Sequence, residues 1–180
     1  KHMNKNLKYF TVLSLFTAFS IILGYVEYLI PFNFGIYGFK IGLSNIASLL
    51  VLYLFDFKSS FIVLLIRIFV VNTLFGTGFS LIFSLIAGAL SLAVMWLLHK
   101  LFKADIIFVS AIGGIFHNIV QVVVATILVS QTAVLYLIPF LVVLGLVTGV
   151  TVGIVSKIIY YRTNKFIRRS VSGTYKENEI

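Results

Sequence analysis

The chain of 180 residues contains no cysteine, only two prolines and only five acidic residues. Without cysteine it can form no disulfide, no iron–sulfur cluster and no zinc site with thiolate ligands. Charged residues make up 11% of the chain, whereas a soluble domain contains about 25%. With 61% hydrophobic residues and no stretch of soluble composition, the sequence predicts an all-α integral membrane protein with one compact membrane domain.

Motifs that carry catalysis are also missing from the sequence. It has no paired carboxylates, no metal-binding cluster, no aspartate-rich diphosphate motif, no Walker loop and no nucleophile elbow. We therefore expect the protein not to be an enzyme and to need neither a metal nor a cofactor. Because a nucleotide-binding motif is absent as well, any active transport would draw its energy from a partner protein.

Six apolar segments are present, and we expect each to form a membrane helix. They span Lys8–Ile30, Ile41–Phe55, Ser59–Leu74, Phe79–Leu98, Ile106–Val129 and Ala133–Tyr161. The second and third are shorter than the about 20 residues of a bilayer span, so we expect tilt or completion by loop residues. The predicted membrane domain covers residues 4–161, and a basic, frayed cytoplasmic tail covers 162–180. Residues 1–3 include Lys1 and His2, which are typical of a cloning remnant, and the first apolar segment is too long for a cleavable signal peptide.

The lysines and arginines predict the topology. If six helices alternate, nearly all basic residues fall on one side, and only Lys40 lies in a loop on the other. Because basic loops stay in the cytoplasm, both termini are predicted to be cytoplasmic. The net charge of +9 is thus accounted for by topology, and we expect no nucleic acid partner. The basic residues of the predicted cytoplasmic side are Lys5, Lys8, Lys58, Lys100, Lys103, Arg162, Lys165, Arg168 and Arg169.

The external loop from Pro31 to Phe39 is aromatic and rich in glycine, and it leads through Lys40 into Ser44 and Asn45, which are suitable N-caps for helix 2. One interpretation is a lid that folds back onto the membrane domain. The other is an interfacial aromatic belt that needs no ligand. The sequence of the loop favours neither.

Polar side chains that are unfavourable in lipid concentrate in the outer half of the predicted bundle. At about 1.5 Å per residue, Glu27 lies roughly 28 Å beyond Lys8, and Arg67 lies roughly 14 Å beyond Lys58, near the bilayer centre. An arginine there costs about 2.5–3.5 kcal/mol on insertion scales, so Arg67 must face protein or water. Other polar residues predicted in this half are Asn45, Asn72, Ser80, Ser84, His117, Asn118 and Gln121.

Two explanations of this polar group remain open. In the first, it is an internal network in which Arg67 pairs with Glu27 or with helix carbonyls. In the second, it lines an outward-opening cavity for a substrate, with Arg67 at the floor and Lys40 at the rim. The cavity charge of +1 would then favour an anionic or polar aromatic ligand. The substrate-binding residues predicted on this basis are Arg67, His117, Asn118, Gln121, Asn72, Asn45, Lys40 and Glu27.

The predicted separation of Glu27 and Arg67, about half the bilayer, bears on this choice. A direct ion pair would need helix tilt or side-chain reach. Ligand or water is therefore the expected partner of the guanidinium, and a bidentate anion fits its geometry.

Small residues at four-residue spacing mark faces for close helix approach. Gly145, Gly149 and Gly153 form such a face on helix 6, which we expect to pack within the bundle. Ser14 and Ala18 form a weaker pair on helix 1 that could face the bundle or a partner.

The stretch from Phe39 to Phe102, followed by GGIFHNIVQ, resembles the Gx transporter family, which is often labelled heptaprenyl diphosphate synthase component I. The segments KIGLSN, RIFVVNTLFGT and HNIVQ carry the most specific part of the resemblance, which extends from about Tyr9 to Tyr161. That family is similar to the S-components of energy-coupling factor (ECF) transporters. These are six-helix substrate-binding proteins without ATPase parts of their own.

The resemblance implies an S-component-like subunit of a bacterial cytoplasmic membrane. Such a subunit captures a small molecule, here vitamin-, flavin- or isoprenoid-related, from the outer side beneath the loop between helices 1 and 2. It would dock through helix 1, where Ser14 and Ala18 stand in place of an AxxxA-like motif, onto an ECF-type coupling protein driven by two ATPase subunits.

Two other functions are compatible with the sequence. The main alternative is a membrane anchor for an enzyme of prenyl diphosphate or quinone synthesis, without a transport role and without prenyl-transfer residues of its own. A self-contained channel or proton-coupled carrier is disfavoured, because one buried carboxylate is a poor proton relay.

Overall fold

The computed structural model describes residues 5–29 and 42–171, with side chains for 6–29 and 42–164. These residues form six α-helices and no β-strand. Five of the helices are long and apolar enough to cross a membrane, which confirms the predicted all-α membrane bundle. The helices are α1 (Lys5–Leu29), α2 (Asn45–Leu54), α3 (Phe57–Leu74), α4 (Gly78–Phe102), α5 (Ile106–Val129) and α6 (Ile138–Val171), and a 3₁₀ segment, Thr132–Leu137, precedes α6.

Side-chain caps fix where three of the helices begin. Asp56 Oδ1 accepts a hydrogen bond of 2.7 Å from the backbone N–H of Ser59 at the start of α3. Thr77 caps α4 and Asp105 caps α5 in the same way. Each cap satisfies a backbone donor that the first helical turn leaves without an intrahelical partner, so the turns between these helices are short and their positions are fixed.

The ends of two helices differ from the prediction. α2 begins at Asn45, not Ile41, and the hydroxyl of Ser44 makes no capping hydrogen bond within α2. α6 begins after the 3₁₀ segment, with Pro139 in its first turn, where a missing N–H costs nothing. It then continues to Val171, so the expectation of a frayed chain from Arg162 is wrong for residues 162–171.

α2 lies at the centre of the bundle. Its ten residues span about 15 Å, half the thickness of a bilayer core. Residues 45–52 are all buried, and α2 packs against α1, α3, α4 and α6. The longer helices therefore separate α2 from lipid along most of its length.

The turn between α2 and α3, the turn between α4 and α5, the start of α1 and Lys157 of α6 lie together at one end of the bundle. The hydroxyls of Tyr9 and Ser59 are 2.6 Å apart, which places the start of α1 beside the start of α3. Tyr53 donates a 3.0 Å hydrogen bond to the carbonyl of Ala104, and Lys157 Nζ lies 2.7 Å from Asp105 Oδ1. This hydrogen bond from Lys157 lowers the pKa of Asp105 below its usual value.

The side of the membrane that this end faces stays a prediction. The chain has no native cysteine, so a single introduced cysteine is the only thiol in the protein that a reagent can label. We expect Gln131→Cys to react with an impermeant thiol reagent added outside intact cells, and Asn164→Cys to react only after permeabilisation. The reverse labelling pattern would show that the topology is opposite to the one predicted.

α5 and α6 form the closest helix pair. A Cβ atom on Gly149 would lie 2.7 Å from the carbonyl oxygen of Ser110, and one on Gly145 would lie 2.7 Å from that of Gly114. Any side chain at these two positions would therefore push the backbones apart, in agreement with the predicted packing role of the helix 6 glycines.

Candidate functional site

A hydrogen-bonded bridge links three helices in the bundle interior. The hydroxyl of Ser44, just before α2, donates a 2.9 Å hydrogen bond to Glu27 Oε2 on α1. The same hydroxyl accepts a hydrogen bond from Arg67 Nη1 on α3. The backbone N–H of Gly42 donates to the other carboxylate oxygen, Glu27 Oε1. Glu27 and Arg67 are only 4% and 6% exposed, so the opposite charges are held close together out of water by one serine.

Two glycines make the bridge possible. A Cβ atom on Gly24 would lie 2.9 Å from Cγ2 of Val71, so any larger residue there would force the Val71 side chain or the two helices to shift. Gly42 has a φ of +92°, a conformation that other residues rarely adopt. This conformation turns the N–H of Gly42 toward Glu27 as the chain enters α2.

The charges of Glu27 and Arg67 meet through their long side chains. Helix rise alone placed them about half a bilayer apart, but both charges meet the same hydroxyl. Side-chain reach was one of the two ways in which the sequence allowed the charges to meet, and Ser44 is the residue that joins them. The guanidinium therefore has a protein partner, Ser44, where ligand or water was expected.

A small cavity adjoins the bridge. Its volume is about 20 Å³, enough for about one water molecule. Arg67 Nε and Ser84 Oγ are buried and have no hydrogen-bond partner among the described residues. Both residues line this cavity, which we call the bridge cavity, and its walls are formed by Gly24, Glu27, Gly42, Ser44, Asn45, Arg67, Ile68, Val71, Ser84 and His117.

A second cavity of about 10 Å³ lies on the α5–α6 side of α2. It shares three residues with the bridge cavity: Gly42, Asn45 and His117. The side chains of Asn45 and His117 therefore stand at the boundary between the two cavities.

The remaining predicted site residues on α3 and α5 lie elsewhere. Asn72 donates a 2.7 Å hydrogen bond to the carbonyl of Ile68 and accepts one of 2.8 Å from Ser80, which ties α3 to α4. Asn118 donates to the carbonyl of Leu141 on α6 at 2.8 Å. These two amides hold helices together and line neither cavity.

Gln121 is fully buried, and neither its amide nitrogen nor its amide oxygen has a hydrogen-bond partner among the described residues. It does not line either cavity. Lys40 lies outside the described residues. The predicted cavity charge of +1 included Lys40, and the described wall has one positive and one negative group, Arg67 and Glu27.

The candidate docking residues Ser14 and Ala18 are exposed on the outer face of α1. Large apolar side chains surround them on the same face, including Leu15 and Ile22, which are 65% and 59% exposed. This face of α1 is thus free of the other helices and available to lipid or to another membrane protein.

Sequence reasoning missed the role of Ser44. Ser44 was interpreted as an N-cap, and its hydroxyl instead joins the two buried charges. One signal was available: a glycine two residues before a serine at a helix start, in a chain whose single membrane-buried glutamate needed donors. Gly24 stands four residues after Ser20, a spacing that indicates close helix approach, but the spacing does not say that α3 is the helix that approaches.

Comparison with known proteins gives one family. A family model described as heptaprenyl diphosphate synthase component I matches residues 16–159, well over half of the chain. No curated protein and no solved structure matches the chain.

Proposed function

Since the chain belongs to the heptaprenyl diphosphate synthase component I family, the Gx-type family, we propose that it is the substrate-binding membrane subunit of a transport system. One observation carries the proposal. The bridge cavity is lined by two buried polar groups without hydrogen-bond partners, Arg67 Nε and Ser84 Oγ. Such groups are rare in folded proteins, and a bound water, ion or ligand is among their explanations. A small polar molecule in the cavity would satisfy both.

Substrate binding in this cavity requires side chains to move. Ligand pockets typically have volumes of about 300–1,000 Å³, far above the about 20 Å³ of the bridge cavity. His117 and Asn45 line both this cavity and the second one, and the proposal is that their movement joins the two cavities. His117 then contacts the ligand from α5, as the sequence predicted for a substrate-binding residue.

The proposed partners follow from the face of α1 that points away from the other helices. Its exposed small residues, Ser14 and Ala18, permit close approach of a helix from another membrane protein. An ECF-type coupling protein with two ATPase subunits would supply the energy, in the cytoplasmic membrane of a bacterium. The subunit itself binds and releases the small molecule and catalyses no reaction.

A ligand-retention experiment tests the role of His117. We expect the purified protein to retain a small molecule that mass spectrometry detects, and His117→Ala to lower its occupancy at least about tenfold, equivalent to about 1.4 kcal/mol. Thr126→Ala is the matched control, because Thr126 lies on the same helix and its hydroxyl donates to the carbonyl of Val122 within that helix. Equal retention by the parent and both variants would contradict a ligand site at His117.

A second function, membrane anchoring of a soluble prenyl diphosphate synthase, is favoured by two observations. The family description names a synthase component, and the Glu27–Ser44–Arg67 bridge satisfies most of its own polar groups. Co-purification from native membranes separates the two functions. An ECF coupling protein with ATPase subunits would support substrate capture, and a soluble synthase would support anchoring.

A further inference from the structure

The N-terminus of α2 receives its negative group from another helix. Ser44 makes no capping hydrogen bond within α2, so this helix start has no side-chain cap of its own. Glu27 of α1 binds the chain just before this helix start, because its two carboxylate oxygens accept from the N–H of Gly42 and from the hydroxyl of Ser44. A helix N-terminus carries partial positive charge and attracts anions, and Arg67 adds a full positive charge beside it.

This arrangement has the components of a carboxylate-binding site. Two donors, Gly42 N–H and Ser44 Oγ, each hold one oxygen of a planar carboxylate, and the guanidinium of Arg67 lies beyond Ser44. Arg67 is 6% exposed, and its Nε–H points to no partner among the described residues. The hydroxyl of Ser84, also unpartnered, lines the same cavity. Two unused polar groups thus surround a carboxylate that belongs to the protein itself.

The geometry points to an exchange: the site at the start of α2 binds the carboxylate group of the ligand, and Glu27 fills that site when the ligand is absent. The inference rests on the proposed function and identifies the ligand as a carboxylate-bearing small molecule. The cavity of about 20 Å³ has no room for a carboxylate beside that of Glu27, so one must leave for the other to enter. The exchange replaces one negative charge by another and leaves Arg67 compensated.

The test removes the internal carboxylate and supplies an external one. In Glu27→Ala, the space and the donors of the carboxylate remain, but the charge of Arg67 is uncompensated. We expect this variant to be less thermally stable than the parent and to regain at least about 4 °C in about 100 mM sodium formate. Equal concentrations of formamide and sodium chloride should not restore it, because neither supplies a planar anion with two acceptor oxygens.

Two variants provide controls for this rescue. Glu27→Gln fills the space with an uncharged group of the same shape, so formate should not stabilise it. Asp105→Ala removes an exposed carboxylate from the Asp105–Lys157 pair, and formate should have no specific effect there. Equal stabilisation of all three variants would show a general salt effect and overturn the inference.

Other outcomes also decide the question. If Glu27→Ala cannot be purified as folded protein even in formate, an external carboxylate does not replace Glu27, and the proposed exchange is wrong. Restoration by inorganic phosphate but not by formate would overturn the carboxylate assignment. If formate fails while the parent retains a small molecule that His117→Ala loses, the proposed function stands and only the exchange is refuted.

Discussion

Replacing Arg67 by methionine is expected to lower the free energy of unfolding by about 3–5 kcal/mol, the typical cost of removing one partner of a buried ion pair. The guanidinium is buried and donates to Ser44, which donates in turn to Glu27. Without Arg67, the carboxylate of Glu27 stays buried with two hydrogen-bond donors and no positive charge. Thermal unfolding of the purified protein in detergent measures the loss.

A second substitution distinguishes charge from packing. Glu27→Gln in the Arg67→Met background removes the uncompensated charge and keeps an acceptor for the N–H of Gly42. We expect the double variant to be clearly more stable than Arg67→Met alone. Asp105→Asn breaks the exposed pair with Lys157 and should change stability little, because exposed ion pairs contribute little. Equal stability of the double and single variants would show that the buried charge pair is not what stabilises this region.

Replacing Gly149 by leucine is expected to disrupt the α5–α6 pair. A Cβ atom at this position would lie 2.7 Å from the carbonyl oxygen of Ser110 and 2.9 Å from Cα of Ala111. These neighbours are backbone atoms, which cannot rotate away as a side chain would. We expect a destabilisation of about 3 kcal/mol or more, visible as loss of monodisperse protein in size-exclusion chromatography.

Val147 offers the matched control for Gly149. It lies on the same helix and is 58% exposed, so Val147→Leu changes a side chain that faces away from α5. We expect this variant to remain monodisperse and as stable as the parent. If Gly149→Leu behaves like Val147→Leu, α5 and α6 do not pack as closely as described.

The sequence predicted the membrane class, the number of helices and the positions of most turns. These features depend on local composition: apolar runs, glycines and capping residues such as Asp56 and Asp105 mark helix ends without knowledge of the fold. The start of α2 was missed because Ile41 is as apolar as the helix that follows it. The end of α6 was missed because the polarity after Tyr161 was interpreted as loss of helix, although polar residues also form helices outside the membrane.

The candidate site was predicted in part. The sequence assigned Glu27, Asn45, Arg67 and His117 to one polar group, and all four line the bridge cavity, although depth alone separated Glu27 from Arg67. The depth of a residue along its helix does not indicate the direction in which its side chain points. Asn72 and Asn118 have a suitable depth but hydrogen-bond to neighbouring helices, because the direction of a side chain depends on how the helices rotate against one another.

The short central helix also affects how the chain enters the membrane. α2 has ten residues, too few to span a bilayer core that needs about 20, and its polar start, Ser44 and Asn45, is buried. An isolated segment of this kind gains too little from lipid to be retained during synthesis. We therefore expect α2 to stay in the membrane only through the helices that it packs against, α1, α3, α4 and α6.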